Sequence, residues 1–377
     1  MKAKDGEGKL TYSEAGVNIL EEGDAIRALI SRLRFKREGL GRPMDIGGHY
    51  TGIVEFGEWY LSLCTDGVGS KMKIAEAMGK WDTVGIDCMA MNVNDMICIG
   101  AEPLAFVDYI ASDHPDTYVL GEIGKGLNAG CEMSNVSIIG GETASLPDMV
   151  DGLDLAGTCM GVVKKDRTIT GSSIGIGDLI IGIPSTGIHS NGYTLVRRVL
   201  KRARVSYQDT LWDIIGRRAW KARKAPPELK GAVESWARSV PDLKVGEALL
   251  TPTKIYVRDI MKLLKGMPEG SVHGLAHITG GGMRNLSRLK KELGFVIDRP
   301  LDVPPIFHMV QVLGGVDSIE MYQTFNMGMG FSVIVSRDAS EMALSFLQGS
   351  GARIVGRMTG ERGVHLVREG ISYPGYV

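Results

Sequence analysis

The stretch Cys64 to Pro103, CTDGVGSKMKIAEAMGKWDTVGIDCMAMNVNDMICIGAEP, constrains this chain more than any other. It grows out of Trp59 to Thr65, whose β-branched and aromatic residues between glycine-bearing turns predict a strand. The strand delivers Asp66 into the turn Gly67-Val68-Gly69. On the helical segment that follows, Asp87, Met91, Asn94 and Asp95 fall at i, i+4, i+7 and i+8 and so share one face. An acid at a strand end, with a second acid on the next helix, suits a hard cation and a phosphate. Mg²⁺ takes oxygen ligands, commonly one or two carboxylates, and fills its other positions with water and phosphate oxygens. Asp66 and Asp95 have that chemistry. An N-cap aspartate and a solvated helix face fit the same spacing, and spacing alone does not separate the two readings.

The 377 residues exceed one typical domain, which predicts two. An apolar content of 44% with 51 glycines suits a glycine-rich α/β enzyme and argues against disorder. A net charge of −1 gives no global basic field for nucleic acid or an anionic membrane. Cys64, Cys88, Cys98, Cys131 and Cys159 contain no C-x-x-C pair and read as reduced packing thiols. The polar start MKAKDGEGKL lacks an apolar leader core, and no run approaches the roughly 18 apolar residues of a membrane span. These features predict a cytoplasmic protein with neither a nucleic-acid nor a membrane partner.

A helix is predicted from Gly23 to Arg34, with Ile26, Leu29, Ile30 and Leu33 as its buried face. Gly39, Gly41, Pro43, Gly47 and Gly48 then form a loop rich in backbone donors. From 51 to 166 strands (51–56, 59–65, 104–110, 136–139, 156–164) alternate with helices near 70–79, 85–99 and 116–133. The short strand at Val136 runs into Gly140-Gly141-Glu142, where paired glycines could turn backbone N–H groups toward an anion. Glu142 beside such a nest is a metal-ligand candidate, and a turn acid facing water is the plainer alternative. Residues 164–179 are polar and glycine-rich and mark the domain boundary. Leu179 to Ile183 is a wholly apolar strand feeding Pro184-Ser185-Thr186-Gly187-Ile188-His189-Ser190-Asn191-Gly192, and then a helix. That order makes an anion site, with Ser190 or Asn191 as N-cap and His189 free to donate to a phosphate or carboxamide oxygen.

Residues 201–230 carry nine basic and three acidic residues, read as a solvated helical insertion rather than a nucleic-acid patch; Trp212, Trp220 and Trp236 could dock it on its own domain or on a partner. Thr251-Pro252 predicts a helix start with Tyr256, Ile260, Leu263 and Leu264 as its apolar face. His273 and His277 stand four apart without a third ligand, so a zinc site is not expected. Thr279, Gly280, Gly281 and Gly282 precede a helix and form another phosphate or ribose cradle. Glycines in Asn326-Met-Gly328-Met-Gly330 are read as places of close backbone approach. No P-loop or kinase glycine loop is present.

Asp95-x4-Gly100-Ala101-x-Pro103 resembles the signature of the aminoimidazole ribonucleotide synthetase superfamily of ATP-using enzymes. DGVGSK (66–71), GIDCMAMNVNDM (85–96) and GGETA (140–144) resemble the phosphoribosylformylglycinamidine cyclo-ligase family within it. YSEAGV (12–17), STGIHSNGYTLVR (185–197), LTPTKIYV (250–257), HITGGG (277–282) and EMYQTFNMGMG (320–330) extend the likeness over most of the chain, in the family's order. The resemblance implies a two-domain α/β fold of mixed sheets. Its first-domain sheet (1–168) would close into a barrel across a homodimer. Its second domain, an α/β sandwich (169–377), would carry the basic insertion near 201–245.

The resemblance further implies ATP and Mg²⁺ as cofactors and formylglycinamidine ribonucleotide as substrate, converted to aminoimidazole ribonucleotide in purine biosynthesis. It assigns Asp66, Asp95 and Glu142 to metal and triphosphate, and Asp87, Asn94, Gly140 and Gly141 to the nucleotide. His189, Ser190 and Asn191, with Thr279, Gly280, Gly281 and Gly282, go to the substrate and its phosphate; Asp66, Asp95 and His189 are the catalytic candidates. In that family a lysine near the end of the early helix covers the nucleotide, and the local sequence ISRLRFKRE leaves this role unassigned among Arg32, Arg34 and Lys36. The rival readings are a sister activity of the superfamily, such as formylglycinamidine ribonucleotide synthase or selenophosphate synthetase, and a non-catalytic nucleotide-binding scaffold. The retained trio Asp66, Asp95 and Glu142 argues for the enzyme.

Overall fold

The computed structural model describes residues 19–374, with side chains from Gly23 onward. The YSEAGV motif, the polar first residues and the closing Tyr376-Val377 lie outside the described residues. Six strands form the first sheet: β1 (Pro43–Met44), β2 (Gly52–Phe56), β3 (Trp59–Gly67), β4 (Glu102–Ser112), β5 (Ser137–Ser145) and β6 (Leu153–Lys164). Their order is β1-β2-β3-β6-β4-β5, antiparallel throughout except that β5 runs parallel to β4. Along β6, Leu155, Gly157, Cys159, Gly161 and Val163 are buried while the intervening residues are half-buried. This period of two marks a sheet covered on one face. The cover is the helix Val84–Met96, backed by the helix Thr117–Ser134. Val84–Met96 is buried nearly all round, because sheet, neighbouring helix and second domain enclose it.

The second sheet holds β7 (Leu179–Pro184), β8 (Val272–His277), β9 (Gly294–Ile297), β10 (Met329–Val335), β11 (Arg353–Thr359), β12 (Gly363–Leu366) and β13 (Ile371–Tyr373). Its order is β13-β12-β9-β11-β7-β10-β8, with one parallel pair, β9 with β12. The central β10 is buried at every position, as strands covered on both faces must be, and the apolar run of β7 is explained the same way.

Four local expectations need correction. The early helix spans Ile19–Ile30, and Ile26, Leu29, Ile30 and Leu33 are all exposed, so its apolar stripe has the right spacing but no covering partner among the described residues. The strand at 136 does not turn at its glycines: β5 carries Gly140, Gly141 and Glu142 in extended backbone through to Ser145. Ladder hydrogen bonds to β4 take the backbone groups that a nest would have turned outward. Thr251-Pro252 begins no helix. The helix is Val257–Gly266, and 251–256 has no regular secondary structure. Neither Ser190 nor Asn191 caps the helix Tyr193–Ala203, whose N-cap is Gly192 at φ +82°. The basic insertion folds as helices Leu211–Gly216, Arg218–Ala222 and Pro227–Ser239. Trp220 is buried there with its Nε1 donating to Glu234, so this tryptophan docks the insertion on its own domain; Trp212 is exposed.

Candidate active site at the domain junction

Asp66 sits near the end of β3, where its Oδ1 accepts from the Gly67 N–H at 2.7 Å. Asn92 on the covering helix donates to the Asp66 carbonyl at 3.2 Å, fixing the strand end against the helix. Burial, and next the neighbouring Asp95 carboxylate, push the Asp66 carboxyl up to about 6, against the Gly67 N–H and His277, which favour its charged form. Asp95 in turn meets His277 Nδ1 at 2.8 Å. His277 ends β8 and is fully buried, and its Nε2 has no partner among the described residues. Two carboxylates from one domain and an imidazole from the other thus meet where the domains join.

Glu142 is not with them. Opposite residues across a ladder share a face, and Asp66, Gly157, Asp108 and Gly141 form one such row on the helix-covered side. Gly67, Ala156, Tyr109 and Glu142 form the next row, on the open side. Glu142 is therefore exposed, three strand spacings or about 14 Å across from Gly67, on the opposite face from Asp66. Among the described residues no three His, Cys, Asp or Glu side chains come together as a metal cluster. Gly141 has a packing reason to be glycine, since a Cβ there would run into the Asp108 carboxylate. Burial raises the Asp108 carboxyl, and sequence reasoning missed this residue, which no motif or spacing marks.

Asp87 and Asn94 turn inward and tie the domains together. Asp87 is fully buried, paired with the equally buried Lys71 at 2.7 Å, and its Oδ1 accepts from the Thr253 N–H (2.7 Å) and hydroxyl (2.6 Å). Lys71 also donates to the Thr251 carbonyl at 2.8 Å. Burial pulls the Lys71 ammonium below its usual range and Asp87 opposes that pull. Asn94 donates to the Lys254 carbonyl (2.8 Å) and accepts from the Tyr256 N–H (2.9 Å). These contacts pin backbone groups of Thr251, Thr253, Lys254 and Tyr256 to the first domain. Lys71 and Thr253 lie inside motifs visible in the sequence, yet the Asp87–Thr253 and Lys71–Thr251 contacts span more than 160 residues and have no local signal.

The loop after β7 and the turn after β8 complete the junction. Thr253 and Ser190 hydroxyls lie 3.1 Å apart, so the Asp87 network reaches the loop. His189 is buried at φ +66°, in the left-handed region, where its Nε2 accepts from the Thr186 N–H and its Nδ1 has no partner among the described residues. Burial holds its imidazole far below the ordinary range and neutral. His189 is thus a packed histidine, against the expectation of a loop residue free to donate. Its ring abuts Gly330, where any Cβ would strike the Tyr256 hydroxyl and the imidazole. Asn191 faces the turn 279–282, close to Gly280. In that turn the Gly282 N–H already donates to the Thr279 carbonyl, and Asn285 donates to the carbonyls of Thr279 and Gly280. The structure thus brings Asp66, Asp95, His189, Ser190, Asn191 and 279–282 to one junction. It uses Asp87 and Asn94 as interdomain ties and leaves Gly140, Gly141 and Glu142 on a distant edge strand.

The N-terminal domain family of AIR synthase related proteins matches residues 48–163, and the corresponding C-terminal domain family matches 175–369. The phosphoribosylformylglycinamidine cyclo-ligase of Methanosarcina barkeri (strain Fusaro / DSM 804) is 46% identical over 358 residues, covering 95% of this chain and 97% of its own length. That of Methanococcus vannielii (strain ATCC 35089 / DSM 1224 / JCM 13029 / OCM 148 / SB) is 48% identical over 333 residues, covering 88% and 86%. Among solved structures, the HypE–HypF complex (17% identity, 87% and 92% coverage) and AaThiL complexed with AMPPCP and TMP (15%, 93% and 94%) both superpose with a TM-score of 0.55. These last two likenesses are of fold.

Proposed function

This chain belongs to the AIR synthase related protein family, and from that membership we propose the chemistry of the junction and the residues that carry it. The chain is an ATP-dependent ligase that cyclises formylglycinamidine ribonucleotide to aminoimidazole ribonucleotide in purine biosynthesis, releasing ADP and phosphate. The single observation that carries this reading is the near-full-length identity to the cyclo-ligases. ATP phosphorylates the substrate's amide oxygen, which makes a poor leaving group a good one. The substrate's own amidine nitrogen then attacks that carbon, the C–N bond closes the ring, and phosphate departs. The protein's part is positioning and charge stabilisation.

Asp66 and Asp95 would hold Mg²⁺. A carboxyl raised by burial and then by an acidic neighbour gains from a cation, and two carboxylates suffice when water and phosphate oxygens complete the shell. Such an ion supplies charge neutralisation on the phosphates. His277 orients Asp95 from the second domain, and Ser190, Asn191 and the turn 279–282 line the substrate side. His189 stays in the pocket wall as a neutral, buried group.

Homodimerisation is supported by the open face of the first sheet, where Leu63, Val107 and Tyr109 are exposed, and by the edge strand β5, exposed at every position but Ala144. A second sheet packed on that face would cover both liabilities. Glu142, Gly140 and Gly141 could join a nucleotide site only across such a boundary. Among the described residues no helix is long and apolar enough to cross a membrane.

The test is a coupled assay with ATP, Mg²⁺ and formylglycinamidine ribonucleotide that scores ADP and aminoimidazole ribonucleotide together. Equal yields, both abolished by Asp95→Ala, are expected. ADP without ring closure would move the chain to a sister activity.

A further inference from the structure

The junction loops lack something a ribonucleotide needs. Its phosphate is a dianion, and neither the loop 185–192 nor the turn 279–282 contains a lysine or arginine. His189 is neutral, and the Gly282 N–H is already taken within its own turn. Cations stand one helix turn further on. In the helix Tyr193–Ala203, which starts where the loop ends, Thr194, Arg197, Arg198 and Lys201 recur at i, i+3, i+4 and i+7 and so share a face. Leu195, Val196, Val199 and Leu200 occupy the buried side. With Tyr207, those four residues line a cavity of about 320 Å³.

Arg197, Arg198 and Lys201 form no salt bridge among the described residues. The acids of the adjoining segment are engaged elsewhere: Asp209 pairs with Arg217 at 2.8 Å and Asp213 accepts from the Thr210 N–H. Thr194, which lines the cavity, also touches the turn that follows β3, since its hydroxyl lies 3.2 Å from that of Ser70, four residues after Asp66. A simple solvated basic face would need neither the concavity nor this contact.

We propose that this cavity binds the 5′-phosphate of the ribonucleotide substrate, with Arg197, Arg198 and Lys201 as counter-charges and the Thr194 and Tyr207 hydroxyls as donors. This rests on the ribonucleotide reading given above. Arginine and lysine suit the role because charge-assisted bonds to phosphate are short and strong, and two adjacent guanidiniums can each present paired N–H groups. The phosphate would lie about 5 to 10 Å along the helix from Thr194, given a rise of about 1.5 Å per residue.

The experiment compares the intact wild-type chain with R198A, K201A and the R198A/K201A double variant. R218A/K221A, in the exposed part of the insertion, controls for general charge. Steady-state kinetics gives the KM for each substrate, and calorimetry measures ribose 5-phosphate binding directly. Expected are a KM for the ribonucleotide raised about tenfold or more in the double variant, an unmoved KM for ATP, and a parallel loss of ribose 5-phosphate binding. The control should change none of these. A ribonucleotide KM within twofold of wild type in the double variant would overturn the proposal, as would an equal rise in the control. Inhibition by ribose 5-phosphate that the variants relieve, but that is non-competitive with the ribonucleotide, would also overturn it, assigning the cavity to a separate phosphorylated effector. Should the wild type fail to turn over this substrate, the functional reading falls. The calorimetric arm then judges the cavity alone, with binding lost in the double variant supporting it and no binding, or equal binding, refuting it.

Discussion

Replacing Asp66 by asparagine should make the cation-free protein more stable while removing its activity. The carboxyl is raised to about 6 in the folded chain, mainly by burial and then by Asp95. An unfolded aspartate titrates near 3.9, so the native state holds this proton where the unfolded chain has lost it. Stability from this group is therefore fully present below about pH 4 and disappears as pH rises through about 6. A shift of about two units corresponds to roughly 3 kcal/mol at pH 8 and about half that at pH 5, as an upper figure because water reaches part of the side chain. Asparagine keeps the acceptor for the Gly67 N–H and carries no charge, so Asp66→Asn should recover most of that penalty. Urea unfolding of both proteins at pH 5 and pH 8, without divalent cations, measures it. The variant's advantage should grow between the two pH values, and added Mg²⁺ should narrow it at pH 8 by stabilising only the wild type. Cyclisation by the variant should fall at least about a hundredfold, the scale of losing a principal electrostatic contact. A gain that is the same at both pH values, or a loss of stability at pH 8, would refute the account of a strained carboxylate pair.

Lys71→Met should destabilise the chain by about 3–5 kcal/mol, because it leaves the Asp87 carboxylate buried without its counter-ion. With an unfolding entropy of roughly 2.1 cal/mol/K per residue, this lowers the melting temperature by roughly 4–6 °C if the domains unfold together. Calorimetry should also find the Lys71→Met/Asp87→Leu pair less damaged than the sum of its single variants; strict additivity would contradict a direct ion pair. Gly141→Ala should cost about 1–3 kcal/mol, since Asp108 must move from the place the new methyl takes. Combining it with Asp108→Gly should restore most of the loss in a thermal melt, an outcome not expected if Gly141 mattered only for backbone freedom.

Much of the site was legible in the residues themselves. The pairing of Asp66 with Asp95 follows from a strand that ends in a turn and a helix that returns across the same sheet edge, both of which local patterning specifies. The apolar run of β7 announced a strand covered on both faces for the same reason. Gly328 and Gly330 are the close approaches their motif predicts, the first against the Asp302 carbonyl and the second against Tyr256 and His189.

What local patterning could not decide is which of two chemically identical uses a polar residue serves. Asp87 and Asn94 share a helical face with Asp95, yet they close on Thr253 and Tyr256, more than 160 residues away, and become interdomain ties. His189 looks like a loop donor in sequence, and only the packing of Tyr256 and Gly330 around it makes it a buried neutral ring. The glycines before Glu142 permit a turn, and the ladder to β4 made them strand instead, which moved Glu142 to the far face. The sequence by itself determined the two α/β domains, the family and the carboxylate pair, because these rest on periodicity and on contiguous motifs. The tertiary structure alone decided the partners of Asp87, Asn94, His189 and Glu142. Hydrogen bonding and desolvation depend on which atoms arrive from distant parts of the chain, and no residue carries that information in its own neighbourhood.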